Sequence, residues 1–240
     1  MSDNLRTVIL AVGIASAGLL AGAGVERSRT GDRFVTVKGV AEREVRADIA
    51  IWPLQVTGAD NDLASASRKL AQSVDGVRRF LVRQGIDTAS VEFTGFTVND
   101  AEANPYGGPQ RASNRFIVRQ TMVVRSDKPD LVLKASQQIS ELAAAGVVIS
   151  SGGEYGPGGP TFVFTGLNDI KPAMIAEATE RAREAAEQFA RDSRSKLGGI
   201  RRANQGVFEI LARDQAPGVS SESQIAKTVR VVSTVEYALR

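Results

Sequence analysis

Residues 34–81 read FVTVKGVAEREVRADIAIWPLQVTGADNDLASASRKLAQSVDGVRRFL, and the change of period inside this stretch decides the fold. Phe34-Val35-Thr36-Val37-Lys38-Gly39 has strand composition and closes on a glycine turn or bulge. A second strand is expected from Glu44 to Thr57. Its apolar residues take odd positions at Val45, Ala47, Ile49 and Ile51, then even ones at Trp52, Leu54 and Val56. A strand buried on one face keeps one parity, so the switch predicts a bulge or twist near Pro53. Pro53 has no amide hydrogen, which places that end on an edge or a bulge. From Leu63 the spacing becomes helical, through Ala66, Leu70, Val74, Val77 and Leu81. Asp60 or Asn61 can cap the start and Gly85 can stop the end. The outward face of this helix carries Arg68, Lys69, Arg78 and Arg79, a solvated surface first and a partner patch second.

The same strand, strand, helix order recurs downstream. Strands are expected at Val91–Asn99 and Arg115–Arg125, the second with Phe116, Val118, Met122 and Val124 on one face. Between them lies Asn104-Pro105-Tyr106-Gly107-Gly108-Pro109. A connection this long is often functional, and Tyr106 is an unusual aromatic to leave in water. Pro105, Tyr106 and Pro109 are therefore candidate subunit contacts, beside the plainer reading of a mobile loop. A second helix is expected from Pro129 to Ala145, ending at Gly146. Strands near Val147–Ser150 and Thr161–Thr165 surround the glycine-rich run Gly152–Pro160. A phosphate cradle needs amides that open a helix and a following lysine; here Pro160 leads into a strand, so a wide turn is expected.

The third helix is expected from Asp169 to Leu197, stopped by Gly198-Gly199. Ala178, Ala182, Ala185, Ala186, Phe189 and Ala190 give it a narrow small-residue face for close packing on a sheet. Glu177 with Arg181 and Glu187 with Arg191 are i,i+4 pairs in the favourable order. Val207–Leu211 and Thr228–Leu239 close the chain as strands. Strand, strand, helix, used three times and followed by two more strands, predicts an α+β body with helices packed on a largely antiparallel sheet. One domain over residues 34–240 is expected, with room for two lobes meeting near Gly152–Pro160.

Ahead of this body, Thr7–Val25 is a run of 19 uncharged, mostly apolar residues between Arg6 and the cluster Glu26, Arg27, Arg29. At about 1.5 Å per residue it matches the hydrocarbon thickness of a bilayer. A retained transmembrane anchor is the first reading. Gly18 and Gly22 form a small-xxx-small pair for helix packing in the membrane. A signal peptide cleaved after Ala21-Gly22-Ala23 is the second. Residues 1–25 are thus the membrane segment and 26–33 a linker. The arginines that follow the span favour a cytoplasmic body by charge alone, whereas the short tail before it favours export.

Composition narrows the chemistry. The 240 residues contain no cysteine and no histidine, which removes thiolate nucleophiles, disulfides, the commonest general base and the usual metal ligands. The net charge of +3 is spread among acidic residues, without the basic stripe of a nucleic-acid binder. No cofactor or metal is expected. Asp48, the one carboxylate in Ala47-Asp48-Ile49-Ala50-Ile51, is the single acid–base candidate, with Glu42 and Glu44 as conceivable neighbours. An Asp in that position more often faces solvent or pairs with arginine. No Gly-x-Ser-x-Gly elbow is present.

Phe34-Val35-Thr36-Val37-Lys38-Gly39-Val40-Ala41-Glu42, followed by Val45-Arg46-Ala47-Asp48-Ile49-Ala50, resembles the opening signature of the SIMPL-domain family of bacterial envelope proteins. The helix from Ala176 to Ala186, closing at Leu197-Gly198-Gly199-Ile200, resembles that family's second recurring block. The family often has proline where Ala47 stands. The resemblance covers about residues 34–239. It implies an exported or membrane-anchored α+β protein that homo-oligomerises and is associated with envelope stress, including oxidative stress. It supplies no catalytic residues. The resulting expectation is a non-enzymatic, single-pass inner-membrane protein whose periplasmic domain self-assembles into a ring or cage. The alternative is a monomeric or dimeric periplasmic module that binds a ligand or partner protein, and a hydrolase using Asp48 comes third.

Overall fold

The computed structural model describes residues 33–103, 114–151, 159–214, 216, 217 and 220–240, together with Ser16. The elements in chain order are β1 (Phe34–Arg46), β2 (Ile49–Asp60), α1 (Leu63–Arg83), β3 (Val91–Asp100), β4 (Phe116–Ser126), α2 (Pro129–Gln137), α3 (Ser140–Ala144), β5 (Ile149–Ser151), β6 (Thr161–Val163), α4 (Leu167–Asp192), β7 (Leu197–Gln205), β8 (Glu209–Ala212) and β9 (Ala226–Leu239). The architecture is α+β, with helices against antiparallel sheets. Among the described residues no helix is long and apolar enough to cross a membrane.

Close contacts divide the chain into two compact units. One comprises Met1–Arg43, Ile170–Glu209 and Arg230–Arg240; the other comprises Glu44–Asp169 and Ile210–Val229.

In the larger unit the strand order is β3-β4-β2-β5, and β6 also pairs with β2. The period-2 alternation of β2 and β4 places Ala50, Trp52, Leu54 and Val56 beside Val118, Met122 and Val124, all fully buried. Helix α1 covers this face with Ala66, Leu70, Val77, Phe80 and Leu81. Asp62, rather than Asp60 or Asn61, is its N-cap, accepting from the Ser65 amide at 2.8 Å. At the other end Ile86 N donates to Leu81 O and Gly85 N to Val82 O. Gly85 sits at φ +76°, so this is a Schellman closure at the expected glycine. Gly146, at φ +79°, ends α3 in the same way.

The expected single helix from Pro129 to Ala145 is instead α2 and α3. Gln138 N donates to Ala135 O and Ile139 N to Ser136 O, both three residues back, while the Ser136 hydroxyl takes the Leu133 carbonyl. Serine in a helix competes for backbone acceptors in this way.

The bulge or twist expected near Pro53 does not occur: β2 pairs with β4 in unbroken register from Ala50 to Asp60. Its even positions Ala50, Trp52, Leu54 and Val56 are buried, and Ile49 and Ile51 lie half-buried on its other face, so the change of parity marks apolar residues on both faces of one strand. Pro53 is also not on an edge, since β4 pairs on one side of it. On the other side β6 takes Ile49–Ile51 and β5 takes Leu54–Val56. Among the described residues no strand faces Pro53 there, and its missing donor leaves no ladder bond broken.

The smaller unit has β9 between β1 and β7, with the small-residue stripe Ala178, Ala182 and Ala186 of α4 buried against the sheet. Val37, Val235 and Tyr237 fill the space around Ala182 and Ala186. A Cβ on Gly39 would stand 1.8 Å from Ala178 O and 2.5 Å from Ala182 N, so only glycine lets the helix backbone approach β1 this closely. Gly58 makes the same provision for α1 in the larger unit, 2.4 Å from Ala66 O.

α4 ends at Asp192, five residues before the expected Leu197, and Leu197–Gln205 is a strand. The stop is another Schellman closure: Ser195 N donates to Ala190 O and Arg194 N to Arg191 O. Its left-handed position is held by Arg194 at φ +54°, which gives no glycine signal in the sequence. Phe189, expected on the buried face, is exposed. On the outer face Arg181 pairs with Glu184 and Arg183 with Glu187.

Candidate functional site

The expected membrane-packing glycines Gly18 and Gly22 lie outside the described residues, as do Pro105, Tyr106 and Pro109. Asp48 is described. It follows the end of β1, and its carboxylate accepts from the Thr165 amide at 2.9 Å and the Thr165 hydroxyl at 2.8 Å. That geometry ties the β6 exit to the start of β2. It occupies both oxygens with a structural partner, and Glu42 is drawn instead to Arg230 at 3.3 Å.

Among the described residues no group of three or more acidic side chains has a metal-holding arrangement. The carboxylates with displaced titration have cation or amide partners. Lys69 at 2.7 Å holds Asp60 below its ordinary value, Ser65 does so for Asp62, and Arg115 for Asp100. Hydrogen bonds that favour the charged form lower a carboxyl pKa. These are surface anchors of loops and caps. Lys227 is the one buried charged residue among those described, on β9; burial lowers its amine pKa and Glu222 partly restores it. Its ammonium donates to the Ser221 carbonyl, which fastens the 220s turn to the strand.

Two surfaces remain as candidates. The first is a groove of about 850 Å³ in the smaller unit. One wall is the outer face of α4, with Thr179, Glu180, Arg183, Glu184 and Glu187. The floor is the start of β7 with Tyr237. Here β7 departs twice from regular register against β9, between Leu197 and Ile200 and again before Arg202. A Cβ on Gly199 would meet nothing within 4 Å. The Gly198-Gly199 pair, read in the sequence as a helix stop, lines this concavity.

The second is the outer margin of the larger unit's sheet. β3 is an edge strand, and Phe93, Phe96 and Val98 are 45%, 60% and 47% exposed. Gly95, at φ +57°, forms a bulge between Thr94 and Phe96. The bulge brings Phe93 opposite Met122, Phe96 opposite Gln120 and Val98 opposite Val118, so all three stand on the face that α1 covers further in. Arg78 of α1 lies over the Phe93 ring at 4.9 Å. The sequence does carry a signal for this row: apolar parity changes from odd to even across Gly95. Arg78, from the cationic helix face read in the sequence, meets this aromatic edge here.

Among curated proteins none matches this chain. Several solved structures are weakly similar. The regulatory subunit of aspartate kinase from Thermus flavus is 15% identical, with 82% of this chain and 89% of that chain covered and a TM-score of 0.22. A hydrolase from Listeria innocua is 11% identical, with 79% and 90% covered and a TM-score of 0.21. An uncharacterized conserved protein from the same organism is 12% identical, with 79% and 90% covered and a TM-score of 0.19. At these TM-scores the likenesses carry no argument. The family model described as SIMPL, protein of unknown function (DUF541), matches residues 35–237.

Proposed function

The chain belongs to the SIMPL family, and from that premise we propose that it is a non-enzymatic envelope protein that self-assembles. Thr7–Val25 serves as its single inner-membrane anchor, and the SIMPL body stands on the periplasmic side as the repeating part of a ring or cage. The observation that supports this reading is the pair of margins on the smaller unit's sheet. β1, of 13 residues, pairs only with β9 among the described residues, and β7 lies beyond β9 on the opposite side. Unpaired strand edges template pairing with another chain. Two different edges on opposite margins suit a head-to-tail contact, which closes into a ring when the rotation permits. A link to envelope or oxidative stress follows from family resemblance alone.

Native mass spectrometry of the full-length chain, extracted from membranes in mild detergent, tests this directly. An uncleaved chain in one large, discrete multiple is expected. A monomer at micromolar concentration removes the assembly reading. A chain starting near Gly24 and running as a monomer or dimer supports the second reading, a periplasmic binding module. That reading draws on the groove beside α4, whose concave shape suits a ligand.

A further inference from the structure

We propose that the groove between α4 and the start of β7 binds a linear aliphatic diamine or polyamine, with one ammonium held by Thr179, Glu180 and Tyr237. This names a ligand class for the groove of the binding-module reading, and it rests on that reading only in needing the groove open to solutes.

The groove has acceptors to spare and few donors. Thr179 commits its hydroxyl proton to the Ile175 carbonyl at 2.8 Å, so its oxygen is left to accept. Arg183, the one cation in the lining, is held by Glu187 at 3.1 Å. Glu184 takes Arg181, from outside the lining, at 3.2 Å. A carboxylate has about four acceptor sites, so both of these glutamates keep free positions. Glu180 is exposed and has no ion pair or hydrogen bond among the described residues. Three glutamates therefore stand against one arginine, and a donor-rich cation is the complement.

Tyr237 supplies the observation that points to an occupant. It is 5% exposed, shares a buried cluster with Ala182 and Ala186, and lines the groove. Its hydroxyl makes no hydrogen bond with any described residue and is not sealed from solvent, so it opens onto the groove. An enclosed polar atom without a protein partner is where a bound donor counts most. An ammonium has three N–H donors and no acceptor, and Thr179, Glu180 and Tyr237 each offer an oxygen. Leu197 and Ile200 give the floor an apolar strip for methylenes. The volume of about 850 Å³ has room for an extended chain, and the free positions of Glu184 and Glu187 suit a second ammonium.

The test uses full-length protein in phosphatidylcholine nanodiscs at about 0.15 M salt, where long-range attraction is screened, with empty discs subtracted. The probes are hexamethylenediamine and its uncharged twin hexamethylene glycol, titrated by saturation-transfer NMR. Saturable diamine binding is expected, with the glycol at least about tenfold weaker. Glu180→Gln weakens the diamine by about tenfold and Tyr237→Phe by about threefold. Neither changes thermal melting, because neither removed group has a partner in the protein to lose. Glu209→Gln, exposed and outside the groove, leaves the affinity unchanged. The proposal is overturned if the diamine does not saturate, if the glycol binds as well, or if Glu180→Gln and Tyr237→Phe behave like Glu209→Gln. Native mass of the same samples keeps the two ideas apart. A ring or cage that binds the diamine as described removes the monomeric or dimeric reading and keeps the proposal; a monomer or dimer that does not bind it keeps that reading and overturns the proposal.

Discussion

Replacing Gly39 with alanine tests the packing logic of the smaller unit most sharply. The added methyl would stand 1.8 Å from Ala178 O and 2.5 Å from Ala182 N, and both atoms belong to helix backbone that cannot rotate aside. To reach an ordinary contact α4 must retreat by about 1 Å or more along its buried alanine stripe. That loosens Ala178, Ala182 and Ala186 together, and with them the contacts to Val37, Val235 and Tyr237. Overpacking of this kind costs about 1–3 kcal/mol, and a clash with backbone belongs at the top of that range. With a urea slope of roughly 2 kcal/mol/M, a loss of about 3 kcal/mol lowers the unfolding midpoint by about 1.5 M. The control is Gly199→Ala, where the methyl meets nothing within 4 Å. Its midpoint stays within about 0.3 M of the wild type. If Gly39→Ala also unfolds within that margin, close helix approach is not what selects glycine on β1, and the account of this interface fails.

Three further outcomes are expected. Arg194→Gly relieves a left-handed residue at the C-terminus of α4 and raises stability by about 1 kcal/mol, read as a higher melting temperature; a lower one would contradict the Schellman assignment. The carboxyls of Asp60, Asp62, Asp100 and Asp214 all titrate below their ordinary value of 3.8 in the folded chain. Their contribution is therefore present above about pH 5 and is lost as pH falls through 3.8 and below. Melting temperature should drop over that window, and Asp100→Asn should make the drop shallower; an identical slope in the variant would rule out Asp100 as a contributor. Thr165→Val removes the hydroxyl donor to Asp48 and leaves the amide bond in place, so a loss of about 1 kcal/mol is expected in urea titration.

Much of this fold was legible because period and punctuation agreed. Leu63 to Leu81 announced α1, Gly85 and Gly146 marked Schellman closures, and the alanine stripe of α4 identified the face that meets β1. β7 was invisible for a physical reason: LGGIRRANQ is polar and exposed along most of its length, so it is a strand through backbone pairing to β9 and not through side-chain burial. The stop before it was hidden because an arginine, not a glycine, takes the left-handed position. The change of parity in residues 45–56 misled because Ile49 and Ile51 lie half-buried on the second face of β2, and apolar residues on both faces of a strand produce the same pattern as a bulge within it. Across Gly95 the same signal does mark a bulge, and there it carries the exposed row Phe93, Phe96 and Val98. Which of the apolar side chains of β3 would be left uncovered depends on where α1 ends up laterally on the sheet, and no local pattern encodes that.

The smaller unit is drawn from three separate stretches of chain, and this has a consequence for synthesis. β1 leaves the ribosome early, whereas the helix that fills the notch at Gly39 follows about 140 residues later. At 5–20 residues per second, the strand waits roughly 7–28 s for its covering helix. Throughout that interval a valine-rich segment with two open sides is available to any other nascent strand. The larger unit, most of it one continuous stretch from Glu44 to Asp169, can close first. The smaller one must form last, around ends already tethered to a folded neighbour, so a holding chaperone has its clearest task on β1.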